Sequence, residues 1–292
     1  MGPTTLFAIA TLIWGSTWLA ITFQLGSVAP EASVVYRFAL AAALLAGWCI
    51  ITARSLRFSP RQHAWFAAQG TLLFGLNYLA VYKAELYIAS GLVAVLFSLI
   101  VFLNLLGVRI LFAVAINRRA LLGAILGVSG VTLLFWREFG QHHGDALRGI
   151  AFAAGATVLA SGGNLIAVRN QRHRIPLLPS VTWGMAYGAL AIALVAAIEG
   201  TAWTFETTPG YVASLFYLAA FGSVIAFTAY LTLLGKIGAA RAGYVGVAVP
   251  LVALLLSSVF EHYEWTLPAL AGAAFCVMGN ILVLLPQPAD KG

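Results

Sequence analysis

Ten long apolar runs follow one another along this 292-residue chain, at about 4–23, 31–53, 63–86, 90–112, 119–136, 147–169, 177–198, 210–235, 238–260 and 266–286. A helix needs roughly 20 apolar residues to cross about 30 Å of hydrocarbon. Lipid offers the backbone no hydrogen bonds, so runs of this kind are helices. The chain therefore reads as an all-α membrane protein with ten transmembrane helices. Composition supports this: only 9% of residues are charged and mean hydropathy is +0.96, whereas a soluble domain carries about 25% charged residues. The first run follows Met1–Thr5 without a basic segment. It holds Trp14 and Trp18 where a cleavage site would fall, so it reads as a helix, not a signal peptide.

The loops give an orientation. Arg54, Arg57, Arg61, Arg118, Arg119, Arg169, Arg172, Arg174, Lys236, Arg241 and Lys291 fall on one side, eleven of the sixteen lysines and arginines. Arg137 and Arg148 fall on the other, with Glu31, Glu138, Asp145, Glu199, Glu206, Glu261 and Glu264. Basic loops stay inside, which predicts that both termini are cytoplasmic. The net charge of +7 thus reads as membrane orientation, with no nucleic acid as partner. Cys49 and Cys276 lie inside apolar runs, so neither a disulfide framework nor a metal cluster is expected.

The two halves repeat. At an offset of 149, Ile88 meets Ile237, Gly123 meets Gly272, Gly130 meets Gly279 and Leu133 meets Leu282; Tyr82 meets Tyr230 one residue off that register. Five spans per half invert the second half against the first, which suits a carrier whose halves rock about one central site. The expected units are residues 1–140 and 141–292.

Trp14-Gly15-Ser16-Thr17-Trp18 in the first span resembles the opening motif of the drug/metabolite transporter superfamily, EamA-type branch. Asn77-Tyr78-Leu79-Ala80-Val81-Tyr82 with Glu85, then Ser90-Gly91-Leu92, is similar to that family's junction of helices three and four. Ile237-Gly238-Ala239-Ala240-Arg241-Ala242, with Pro250, Ser257 and Glu261, is similar to the matching junction in the second half. The chain departs from the pattern at Val101, where the family has a proline, at Val114 in place of a glutamate, at Lys83 and at Ser161. The resemblance implies a cavity lined by helices one, three, four, six, eight and nine. It also implies, by likeness to the YddG-like exporters, an amino acid as substrate.

Tyr78 and Tyr82 share a helix face, which Glu85 continues toward the outer end. Trp14 and Trp18 have the same spacing, and Trp14 lies deep, away from the interfaces where Trp48, Trp65, Trp136 and Trp183 suit an aromatic belt. Phe227 and Tyr230 are the second-half counterpart. Asn104 and Asn164 are amides inside spans and need a partner, from another helix or from substrate. These eight residues are the candidate binding set. Arg37, Glu85 and Pro250 are candidates for gating or coupling. Arg37, about six residues into its span, could answer a substrate or pair with Glu31. Lys83 and Glu85 are two apart and do not face each other. Arg109 reads as snorkelling.

No charge falls at the midplane, which argues against a deep-carboxylate proton pump. The five histidines lie in loops or at span ends, and His142-His143 reads as a solvated loop; no cofactor is indicated. The reading is a carrier exporting small neutral or zwitterionic metabolites, amino acids above all, as a monomer or weak dimer in a bacterial-type inner membrane. Efflux of lipophilic cations is an alternative. A membrane-embedded lipid-modifying enzyme built on Glu261, His262 and Glu264 is another.

Overall fold

The computed structural model describes residues 1–112, 118–136, 144–230, 232–233, 236 and 245–284. Val114, Arg137, Glu138, His142, His143, the Ile237–Ala242 motif and Lys291 lie outside the described residues.

Almost every described residue is helical. The elements are α1 (Pro3–Thr22), α2 (Pro30–Ile51), α3 (Pro60–Gly70), a π-helical segment (Thr71–Leu76), α4 (Asn77–Glu85), α5 (Ser90–Phe97), α6 (Ile100–Phe112), α7 (Arg118–Leu134), α8 (Gly144–Arg172), α9 (Leu177–Glu199), α10 (Pro209–Phe216), a second π-helical segment (Tyr217–Ile225), α11 (Val245–Phe260) and α12 (Leu267–Leu284). Helical backbone also continues from the second π segment through 226–230. Several starts are set by proline in the first turn, as at Pro3, Pro30, Pro60 and Pro209, where the missing N–H would have had no partner anyway. Ser59 and Gln62 add a capping box to α3. α9 ends on Gly200 at φ 68°, a left-handed stop that suits glycine.

Among the described residues six stretches are long and apolar enough to cross a bilayer, and shorter apolar helices accompany them at Leu121–Leu134, Val245–Phe260 and Leu267–Leu282. Bulky apolar side chains such as Ile110, Leu121 and Ile198 lie on the outside, where they meet lipid. This is the architecture of a multi-pass membrane protein.

Three expected spans are less regular than hydropathy suggests. The third widens into a π segment midway, and the eighth does so over nine residues. The fourth is interrupted at Ser98–Leu99, where Val101 and Phe102 turn back to Ser98 and Leu99 in short three-residue bonds. It bends without the family's proline, while Pro250 sits inside a helix that stays continuous.

Helices pack in a consistent set of partners. α2 lies on α9, α7 on α12, α11 on α5 and α1, and α8 on α4 and α6; α3 and the first π segment lie on α9, and the second π segment lies on α1 and α2. The α7–α12 crossing is the closest kind. A Cβ on Gly130 would stand 2.6 Å from the Gly272 carbonyl oxygen, and one on Gly279 would stand 2.5 Å from the Gly123 carbonyl oxygen. Higher numbers on one helix meet lower numbers on the other, so the two run antiparallel. Gly184 and Gly188 admit the backbone of Gly70 and Gly75 in the same way, the small-residue packing expected of helices in lipid.

Candidate functional site

The two π segments shape the centre of the bundle. In the first, the Asn77 N–H reaches back to the Leu72 carbonyl, one residue beyond its α-helical partner, Leu73. The released Leu73 carbonyl accepts from the side chain of Asn77 itself, Nδ2 to O at 2.9 Å. That fixes the amide, and its Oδ1 is buried without a hydrogen-bond partner. In the second, the Ala226 N–H bonds Phe221, which releases the Gly222 carbonyl. The indole Nε1–H of Trp14 donates to it at 3.0 Å. Register slips of this kind recur at functional sites because they leave backbone acceptors to be claimed.

Next to Asn77 and Trp14 lies a cavity of about 200 Å³, walled by Trp14, Thr17, Trp18, Ile21, Asn77, Tyr78, Val81, Phe97, Ser98, Val101, Val249 and Pro250 among others. None of its lining residues is charged. The aromatic wall is braced from behind. Phe227 and Tyr230 each pack on Trp14 with ring centres 5.2 Å away, Trp18 meets Phe97 at 5.4 Å, and Tyr78 meets Phe38 at 4.7 Å.

Of the eight binding candidates, Trp14, Trp18 and Tyr78 are on this wall, and so is Pro250. Phe227 and Tyr230 stand one layer behind it. Asn104 and Asn164 are half-buried and off the wall, with Asn104 Oδ1 buried and unpartnered. Tyr82 is completely buried, away from any aromatic belt and away from the cavity. Sequence reasoning missed Asn77, Ser98, Thr17 and Phe97. Asn77 stood in a quoted motif, but its free oxygen depends on a π register that no side-chain pattern announces. Trp65 and Trp183 are also not simple belt residues: Arg169 covers the Trp65 ring at 3.9 Å, and Trp183 donates to the Leu56 carbonyl at 3.0 Å.

A set of polar contacts joins the helices around Glu31, Ser90 and Tyr211. The expected Arg37–Glu31 pair does not form, because Lys83 Nζ takes Glu31 at 2.8 Å; Lys83 reaches across from α4, which spacing along α2 cannot reveal. Glu261 caps α5, accepting from the Ser90 N–H at 3.1 Å and the Ser90 hydroxyl at 2.5 Å. Gln24 donates to the Tyr211 carbonyl and to Ser214, and Ser33 meets the Tyr211 hydroxyl at 3.0 Å. Outside the spans, Ser27 and Thr208 both donate to Glu206, and these bonds hold its carboxyl below the usual range. Among the described residues no cluster of His, Cys, Asp or Glu could hold a metal.

The model of the EamA-like transporter family matches residues 3–136 and 147–285. The chain belongs to the EamA-like transporter family. Relatives agree over nearly full length. Protein PagO of Salmonella typhimurium is 24% identical over 97% of this chain and 92% of its own. The uncharacterized inner membrane transporter YedA of Escherichia coli K12 is 28% identical over 89% and 84%. An uncharacterized transporter of Archaeoglobus fulgidus is 24% identical over 95% and 96%. A solved crystal structure 18% identical in sequence superposes with a TM-score of 0.67 over 96% of this chain and 95% of its own, and shares the fold. As an EamA-like protein the chain is a membrane transporter, not an enzyme, and works on a small molecule within the bilayer.

Proposed function

We propose that this transporter exports small zwitterionic or neutral metabolites, amino acids above all, by alternating access through the cavity at Trp14, Trp18, Asn77 and Tyr78. The observation that carries this reading is the wall itself. It combines flat aromatic faces for an apolar side chain, the polar residues Thr17, Asn77 and Ser98, and no charge. About 200 Å³ is below the ~300–1,000 Å³ of sites for drug-sized ligands, so a compact substrate fits better than a bulky dye. A lipophilic cation would find rings but no carboxylate on this wall. The proposed lipid-modifying cluster is weakened by Glu261, which is already engaged as a helix cap.

The transport cycle is proposed to run between two inverted five-helix halves, residues 1–140 and 141–292, with both termini cytoplasmic in a bacterial-type inner membrane. Three features support the inversion. The released carbonyls Leu73 and Gly222 are 149 residues apart, as are Asn77 and Ala226, the offset already present in the sequence. The contacts Gly130–Gly272 and Gly123–Gly279 exchange with each other under that offset. The third and eighth spans are the ones that widen.

Counterflow of radiolabelled amino acids in proteoliposomes tests the function. Tyr78→Ala and Trp14→Ala are each expected to cut exchange at least tenfold, about 1.4 kcal/mol of lost stabilisation. Wild-type vesicles that accumulate tetraphenylphosphonium and exchange no amino acid would overturn the reading.

A further inference from the structure

Arg37 and Glu85 are the two deeply buried, oppositely charged side chains that the transport reading does not use. Arg37 is 2% exposed and Glu85 9% exposed. Neither Nε nor Nη1 of Arg37 has a hydrogen-bond partner, and neither carboxylate oxygen of Glu85 has one. The nearby opposite charges are engaged elsewhere: Glu31 and Lys83 pair with each other, and Glu261 is held by Ser90. Glu85 lies within electrostatic reach of both Arg37 and Glu261. Arg37 instead rests on rings, its guanidinium carbon 4.6 Å from the centre of Tyr78 and 5.2 Å from that of Phe38. The Tyr82 hydroxyl, on the same face of α4 as Tyr78 and Glu85, is buried beside Arg37.

Tyr78 belongs at once to the cavity wall and to this cluster. The Tyr78 ring thus contacts the cavity on one side and the Arg37 guanidinium on the other. Burying a charge without a partner is strongly unfavourable, and such charges persist where another group answers them. A guanidinium answers a carboxylate with paired N–H donors, and a carboxylate answers an ammonium. A ligand bearing both groups satisfies both sites and adds no net charge.

We propose that Arg37 and Glu85 form a station for the two charged ends of an amino acid, reached from the central cavity when Tyr78 turns aside, with Arg37 taking the α-carboxylate and Glu85 the α-ammonium. This rests on the reading of the cavity as an amino-acid path, and it adds the source of selectivity for the zwitterion.

The test uses the full-length protein in detergent, titrated calorimetrically with phenylalanine, phenylalanine methyl ester and 3-phenylpropionate. Wild type is expected to bind phenylalanine at least tenfold more tightly than either analogue. Arg37→Gln should bring the phenylalanine-to-ester ratio to about one, and Glu85→Gln should do the same for the phenylalanine-to-phenylpropionate ratio. If Arg37→Gln does not fold, Arg37→Lys keeps the charge but loses the planar fork, and should cut the first ratio several-fold. Ratios preserved in the variants, or all three ligands weakened alike, would overturn the station and leave the cavity reading intact. A wild type that binds phenylalanine no better than its ester also overturns it. Wild type that binds tetraphenylphosphonium and none of the three overturns both.

Discussion

Glu261 shows how much a single side chain can hold at the start of a helix. Its carboxylate meets the first N–H and the hydroxyl of Ser90, at the positive end of α5. Glu261→Gln keeps the shape and removes the charge. Caps of this kind contribute about 0.5–2 kcal/mol, so a melting temperature lower by a few degrees is expected, together with faster opening of this end, measurable as hydrogen exchange at Ser90–Leu92. A variant as protected as wild type would show that the cap does not restrain α5. At this scale the sequence was only partly legible. The aromatic spacing of Trp14 with Trp18 led to the wall, because helical periodicity alone puts two such rings on one face. Asn77 could not be found that way, since its role comes from the carbonyl of Leu73. Nor could the Lys83–Glu31 pair, which joins helices that the sequence does not align.

Elements in this bundle are fixed by close backbone approach more than by their length. At the α7–α12 crossing there is no room for a side chain between Gly130 and Gly272. Gly130→Val is expected to push the pair apart and destabilise the protein by about 1–3 kcal/mol, as overpacking does. Loss of monodisperse protein in size-exclusion chromatography, with a lower melting temperature, is the readout; unchanged melting would show that α12 can retreat without cost. The helices themselves were readable from hydropathy because lipid leaves few other backbone solutions. The π segments were not, since a wide turn uses the same residue types as a narrow one. The break at Ser98–Leu99 was equally silent, having no proline to mark it.

The bundle as a whole is held by helices whose basic and acidic connections alternate along the chain. The proposed orientation, with both termini inside, turns the loop carrying Arg57 to the cytoplasm and that carrying Glu264 outward. A cysteine introduced at Glu264 should react in intact cells with a membrane-impermeant maleimide, and one at Arg57 only after lysis. Cys49 and Cys276 are buried, so background labelling should be low. The opposite pattern would reverse the proposed orientation. The widened turns in the third and eighth spans bear on how such a chain tolerates change in length. An α-helix turns by about 100° per residue. Removing one residue between Thr71 and Leu76 would mend the ladder of backbone bonds and leave Tyr78, Tyr82 and Glu85 near their present faces, because the wide turn absorbs one extra residue; removing one from the regular helix at Leu79–Val81 would instead swing Tyr82 and Glu85 by about 100°. A deletion in a loop alters only reach. The same deletion in a regular turn of a span acts as a frameshift in three dimensions, leaving the helix intact and every side chain beyond it aimed at the wrong neighbour, whereas a widened turn can lose its extra residue with the register kept.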